Sequence, residues 1–230
     1  MSRLRPAHVP SMTEVDTALD RATHRLSLQV ALSPFAEQLD LSMLKPEDAL
    51  AIGKNPKIFV FDLDYTIWPF DCEKDVFAPF YRNPQGVFDS QQHWANPYYD
   101  VPAIISTLYN AGIPVAYLSR NPSHESVEQL LRAITMNTLD GKRSLWDAMP
   151  NRNYFHAYST LGANKGKNPH FAALRELTGV AFEDMLFFDD LPQNIYYARK
   201  QGTTSIVLNL RRGLTWKGFL DGLTLWRARH

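Results

Sequence analysis

The stretch Lys57-Ile58-Phe59-Val60-Phe61-Asp62-Leu63-Asp64-Tyr65-Thr66 decides how this chain reads. Ile58 to Phe61 is an unbroken run of β-branched and aromatic residues, the size of a strand covered on both faces. It runs directly into two carboxylates, Asp62 and Asp64. Uncompensated charge at the end of a core strand is costly. What ends the other strands therefore becomes the question.

C-terminal to this run, short apolar stretches alternate with helical segments, the pattern of βαβ units and a parallel sheet. A helix over 101–111 is expected to stop at Gly112, where a glycine cap belongs. The strand over 113–119 ends in Ser119-Arg120, and Asn121-Pro122-Ser123 opens a helix to 134, with Ser123 as its N-cap. The stretch 135–153 is looser, and a weak strand follows over 154–158. A helix over 169–177 stops before Gly179, and a strong strand over 185–188 runs into Asp189-Asp190. Pro192 suits a first helical turn, so a helix over 192–201 closes at Gly202, followed by a strand over 204–208 and a helix over 215–227. The expected fold is α/β, a doubly wound five-stranded parallel sheet of Rossmann-like type. Ligands of such sheets bind beyond the carboxyl ends of the strands, where strand order reverses.

N-terminal to the decisive run the character changes. Residues 1–55 are expected to form a partly helical extension, with a helix over 12–32, and 56–230 the catalytic domain. The chain has 230 residues, 45% hydrophobic and 21% charged, which is the composition of a globular protein able to bury a real core. Its 24 Lys and Arg balance 24 Asp and Glu, which argues against a nucleic-acid or anionic-membrane footprint. Cys72 is the only cysteine, so an intrachain disulfide and a cysteine-based zinc site are excluded and a reducing, cytoplasmic setting is expected. The opening residues lack the apolar region of a secretory signal. Nor does any run approach the roughly 18 apolar residues that a membrane span requires.

The strand ends gather chemistry. Asp62 and Asp64 end the first strand, Ser119 and Arg120 the second, Asp189 and Asp190 the fourth, and Lys165 and Lys167 precede the helix at 169. Four carboxylates would repel one another unless protons or a cation intervene. All-oxygen ligation by few protein carboxylates suits Mg2+, which keeps waters and shares its shell with phosphate. An aspartate can attack phosphorus and divide hydrolysis into two displacements. A second carboxylate can protonate the leaving oxygen and activate water. Ser119, Arg120 and Lys167 are of types that hold phosphate oxygens, so the set reads as phosphoryl transfer.

At these residues the chain resembles the haloacid dehalogenase (HAD) superfamily. The run Phe61-Asp62-Leu63-Asp64-Tyr65-Thr66-Ile67-Trp68-Pro69-Phe70 is similar to its first motif in the D-x-D-x-T form, and most like its magnesium-dependent phosphatases. Ser119-Arg120 resembles the second motif, Lys167 with His170-Phe171 the third, and Phe187-Phe188-Asp189-Asp190 with Asn194 the fourth. The resemblance implies Asp62 as nucleophile and Mg2+ ligand, and Asp64 as general acid/base that ligates Mg2+ through its backbone carbonyl. It implies Asp190 as the remaining metal carboxylate, with Asp189 behind it. Leu63 would offer a backbone N–H to the phosphate, Ser119 its hydroxyl, and Arg120 and Lys167 further contacts, while Thr66 shapes the turn. Lys165 is the rival to Lys167. Against the family pattern, 135–153 looks like an insertion, and Asp71 stands where relatives can carry an aromatic residue.

The implied activity is a Mg2+-dependent phosphomonoesterase acting, through an aspartyl-phosphate, on phosphotyrosine-like aryl phosphates or sugar phosphates. Its partner would be a phosphorylated small molecule or phosphoprotein. A receiver-like phosphate-binding module without turnover, or a phosphoryl or acyl transferase, are the alternatives; Asp64 argues against the first. The short spacing from Asp64 to the helix at 101 leaves room for a flap but not a large cap domain, so the site should be open. Trp68, Phe70, Phe80 and Tyr81 read as packing before substrate contacts, Cys72 as an apolar filler and His170 as structural.

Overall fold

A computed structural model describes residues 46–159 and 166–230. The helix expected over 12–32, and Lys165, lie outside the described residues. Chain order is α1 (Pro46–Ala51), β1 (Ile58–Phe61), β2 (Tyr81–Asn83), β3 (Gly86–Phe88), α2 (Val101–Asn110), β4 (Val115–Ser119), α3 (His124–Ala133), β5 (Thr135–Thr138) and β6 (Gly141–Ser144). It continues with β7 (Phe155–Ala157), α4 (Asn168–Thr178), β8 (Met185–Asp189), α5 (Pro192–Gln201), β9 (Thr204–Val207) and α6 (Trp216–Arg227).

The main sheet has five strands in the order β7-β4-β1-β8-β9, all parallel. Phe59 and Phe61 of β1, Val115 and Tyr117 of β4, and Leu186 and Phe188 of β8 face one core. Their neighbours Ile58, Val60, Ala116, Leu118, Met185 and Phe187 face the other. This two-residue alternation is the pleat of a strand. Side chains of α2, α3 and α6 close the first core, and those of α4 and α5 the second. The doubly wound sheet expected from the sequence is the observed fold.

The chain runs outward from β1 to β4 and β7, then returns to place β8 on the other side of β1. The order therefore reverses between β1 and β8, whose carboxyl ends carry Asp62 and Asp189. Asp62 N–H donates to the Phe188 carbonyl at 2.9 Å, which ties the two ends together.

The looser stretch is more regular than expected. β5 and β6 pair as an antiparallel hairpin, and Met136, Leu145, Ala148 and Met149 are buried in the first core. Leu139 N–H donates to Asn110 Oδ1 at 2.9 Å, which fastens the hairpin to α2. The flap foreseen between Asp64 and α2 contains the hairpin β2–β3. Asp89, fully buried, accepts N–H bonds from Phe77, Gln91 and His93 and secures its base.

At the start of the described chain, Ala49, Leu50 and Ile52 are buried. Arg227 of α6 donates to the carbonyls of Lys54 and Ala49 and to Asn55 Oδ1, so residues before β1 share the sheet's helical layer. No helix among the described residues is long and apolar enough to cross a membrane.

Candidate active site

Six of the residues singled out, Asp62, Asp64, Ser119, Arg120, Lys167 and Asp190, line one cleft of about 280 Å³, whereas Asp189 is fully buried and reaches it through Lys167. The turn after β1 explains how both carboxylates reach it. Thr66 and Ile67 donate their N–H groups to the Leu63 carbonyl at 3.0 and 2.7 Å, and Tyr65 takes a left-handed conformation, φ 56°. That conformation is costly for a non-glycine residue and persists only where its surroundings enforce it. Here Leu214 N–H bonds the Thr66 carbonyl and Tyr98 N–H the Ile67 carbonyl, each at 2.9 Å, and Tyr65 OH donates to Asp75 at 3.1 Å. Leu63 and Thr66 are themselves fully buried.

Lys167 sits at the floor. Its side chain is 1% exposed, and its ammonium bonds Asp62 Oδ1 and lies 2.8 Å from Asp189 Oδ2. Gly166 takes φ 53°, and a Cβ there would meet Asn194 Cα of α5 at 3.3 Å, so the glycine lets the strand of chain bearing Lys167 press against that helix. Burial opposes the ammonium's charge, but Asp189 and Asp62 outweigh it and hold Lys167 protonated.

Three carboxylates share this one buried cation. One oxygen each of Asp62, Asp189 and Asp190 lies within 4.8 Å of the others. Burial pushes Asp62 well above the usual carboxylate range, and the Asp189 charge pushes it further, against the pull of Lys167. Asp190 is pushed up to about 6, first by burial and then by Asp189. Asp189, by contrast, is saturated with donors. Leu191 N–H and Asn194 Nδ2 reach Oδ1 at 2.7 and 3.1 Å, and Asn194 Nδ2 and Lys167 reach Oδ2.

Asp64 points elsewhere. Its Oδ1 accepts from Trp68 Nε1 at 2.8 Å and Cys72 N–H at 3.1 Å, and its Oδ2 from Asn121 Nδ2 at 2.9 Å. Burial still raises its proton affinity, against the three donors. Ser119 Oγ accepts from Asn121 N–H at 3.1 Å, which leaves the hydroxyl proton available to a ligand. Arg120 lines the cleft with its Nε buried and unpartnered among the described residues.

Three contributors escaped the sequence reading: Asn121, the backbone N–H of Cys72 and the indole of Trp68. Trp68 and Phe70 are buried and stacked at 5.9 Å, and neither lines the cleft. Trp68 and Phe70 are packing, as their type favoured, yet Trp68 also holds Asp64, and Tyr81 is 43% exposed. Asn121 carried a weak signal, since a residue just beyond the end of a core strand sits beside the cleft. The Cys72 amide carried none, because a backbone donor is invisible in residue types. Cys72 itself is a buried free thiol. The cleft is lined further by the charged Asp71, Glu73 and Lys74 and by Tyr65, Pro122 and Leu191.

Comparison with known proteins identifies the family. The family model described as Acid Phosphatase matches residues 54–229. Human magnesium-dependent phosphatase 1 is 34% identical over 173 residues, covering 75% of this chain and 88% of its own length. A HAD-like hydrolase superfamily protein of Schizosaccharomyces pombe is 31% identical over 142 residues, covering 60% of this chain and 78% of its own. A phosphatase-domain structure from Bacteroides fragilis, solved with Mg, aligns at TM-score 0.49 and 21% identity, over 75% of this chain and 41% of that one. The match over residues 54–229 places this chain in the acid phosphatase family, as a phosphatase of the HAD hydrolase superfamily.

Proposed function

We propose that this protein hydrolyses phosphate monoesters with Mg2+, through a phosphorylated Asp62, in the reducing cytoplasm to which its single buried cysteine is suited. The observation that carries the reading is the meeting of Asp62 and Asp64 in one cleft, each in a different electrostatic setting. Asp62 faces Lys167 and the metal-type carboxylates, whereas Asp64 is held apart by three neutral donors. Divided environments of this kind separate a nucleophile from an acid/base.

The residues present fit a divalent cation. Asp62, Asp189 and Asp190 crowd three carboxylates around one ammonium, and Asp190 is destabilised as a charge until more positive charge arrives. Asp62 and Asp190 would hold Mg2+ with their carboxylates and Asp64 with its backbone carbonyl, while Asp189, already spoken for, steadies Lys167. Bound Mg2+ supplies positive charge against the phosphate oxygens.

An Asp62 oxygen attacks phosphorus, and the bond to the ester oxygen breaks. Asp64 gives its proton to that departing oxygen, so the product leaves as a neutral alcohol. A water then approaches the phosphorus, Asp64 takes its proton, and the new P–O bond releases Asp62 and inorganic phosphate. Ser119 Oγ–H, the Leu63 N–H and the unpartnered Arg120 Nε orient the phosphoryl oxygens and stabilise their charge.

The charged Asp71, Glu73 and Lys74 in the cleft lining support a sugar phosphate as substrate, and Tyr65, Pro122 and Leu191 beside them support a phosphotyrosine-like aryl phosphate. Hydrolysis of 4-nitrophenyl phosphate with Mg2+, against excess chelator, tests the reaction. Equal rates in both, or an unimpaired Asp62→Asn protein, would refute it. A phosphorylated Asp62 that persists without phosphate release would instead establish the receiver-like module.

A further inference from the structure

Asn121 joins the two halves of the cleft. It is 6% exposed, and every polar group on its side chain is engaged. Its Oδ1 accepts Ser123 N–H at 2.9 Å, a turn that settles which end of the amide faces which way. Its Nδ2 consequently faces Asp64 Oδ2, at 2.9 Å. Its own N–H reaches Ser119 Oγ at 3.1 Å.

The two oxygens of Asp64 are therefore unlike. A carboxylate has about four lone-pair sites, two on each oxygen. Oδ1 spends both on Trp68 Nε1 and Cys72 N–H, while Oδ2 spends one on Asn121. We propose that Asn121 is a positioning residue for proton transfer, holding Asp64 so that Oδ2 carries the proton delivered to the oxygen leaving phosphorus. The inference rests on the general-acid role of Asp64 given above. In the step, the Oδ2–H bond breaks as the departing oxygen takes the proton, and the electron pair stays on Oδ2. There the Asn121 amide stabilises it through a charge-assisted hydrogen bond.

Asn121→Ser tests this, because serine retains an oxygen for the Ser123 N–H but cannot reach Asp64. The substrates are a series of phosphate monoesters with Mg2+, from dinitrophenyl through phenyl to methyl phosphate. Poor leaving groups need the acid and good ones do not. We expect kcat/KM to fall about 10- to 100-fold for methyl and phenyl phosphates but less than about 3-fold for the dinitrophenyl ester, a share of the roughly 10²- to 10⁴-fold that general acids contribute. In an Asp64→Asn background the serine substitution should add little further loss, since both remove one function. Mg2+ affinity by calorimetry should match that of the parent.

A uniform loss across the series, or additive losses in the double variant, would overturn the proposal while leaving the phosphatase reading intact. A parent protein that hydrolyses none of the esters would overturn both. If the serine variant does not fold, Asn121→Thr enters the same comparison under the same criteria.

Discussion

Lys167 Nζ lies 2.8 Å from Asp189 Oδ2, with the two side chains 1% and 0% exposed. The same ammonium also bonds Asp62. A buried ion pair yields little net stability against an apolar replacement of both partners, but removing one partner strands the other's charge.

Lys167→Met should therefore cost about 3–5 kcal/mol, read by urea unfolding at neutral pH. The deficit should shrink as pH falls, because a proton on the stranded Asp62 replaces the lost ammonium. The sign follows from linkage: burial already raises the proton affinity of Asp62 and Lys167 opposes it, so removing Lys167 raises it further and the variant is stabilised relative to the parent by acid. A deficit independent of pH would show that Lys167 is held by packing alone.

Asp190 sits near the opposite limit, a carboxyl whose charge the metal-free protein tolerates poorly. Asp190→Asn is expected to leave the metal-free thermal midpoint unchanged or raised, since it removes a charge beside Asp189. The parent should gain stability from Mg2+, about 2.7 kcal/mol at a hundred times the dissociation constant, and the variant should lose that gain. Scanning calorimetry with Mg2+ and with chelator reads both, and an undiminished Mg2+ effect in the variant would remove Asp190 from the metal site.

The strand ends were legible because they break a strong local rule. Asp62, Ser119 and Asp189 follow or end fully apolar strands, and polar residues there have few purposes other than chemistry. The β5–β6 hairpin was not legible, because its two-residue loop is Leu139-Asp140, with Gly141 already paired to Thr138, and not the Asp-Gly loop that marks a tight hairpin. Its strands Thr-Met-Asn-Thr and Gly-Lys-Arg-Ser are polar and bury little beyond Met136, so hydrophobic alternation was too weak to register. The cradle of Asp64 was hidden for a different reason. Trp68 and Cys72 are apolar by type, and their roles arise from one indole N–H and one backbone N–H that only the folded turn brings to the carboxylate.

His170 predicts a pH dependence separate from the carboxylates. It is fully buried, stacks on Tyr158 at 4.1 Å, and places Nε2 at 3.1 Å from the Tyr158 carbonyl. Burial, and then the Lys167 charge, push its imidazole down to about 4. An unfolded histidine protonates near 6.5, so between those values the unfolded chain binds more protons and acid favours unfolding. The contribution is complete above about pH 6.5 and is lost as pH falls toward 4, a swing on the order of 3 kcal/mol. His170→Gln keeps a donor for Tyr158 and removes the titration. Urea unfolding at pH 7 and pH 4.5 should show the parent losing more stability than the variant; equal losses would mean that the imidazole charges readily in the folded state.

Gly222 of α6 links the helical layer to the site. A Cβ there would lie 2.7 Å from Phe188 Cζ and 3.1 Å from Ile206 Cγ1. Phe188 cannot yield cheaply, since it is stacked against Phe61 at 5.4 Å and Phe219 at 6.2 Å, and it immediately precedes Asp189. Two effects oppose each other in Gly222→Ala. Helix propensity favours alanine by about 1 kcal/mol, whereas overpacking a close-packed core costs roughly 1–3 kcal/mol. With the nearest contact well inside van der Waals distance, overpacking should win, and the variant should be destabilised by up to about 2 kcal/mol. Gly218→Ala, four residues earlier on the same helix, meets nothing nearer than 3.4 Å and should be neutral or mildly stabilising. Because any shift of Phe188 moves the end of β8, phosphatase activity should fall in Gly222→Ala and hold in Gly218→Ala. Matching activities would mean that the helix, and not the strand, absorbs the added methyl group.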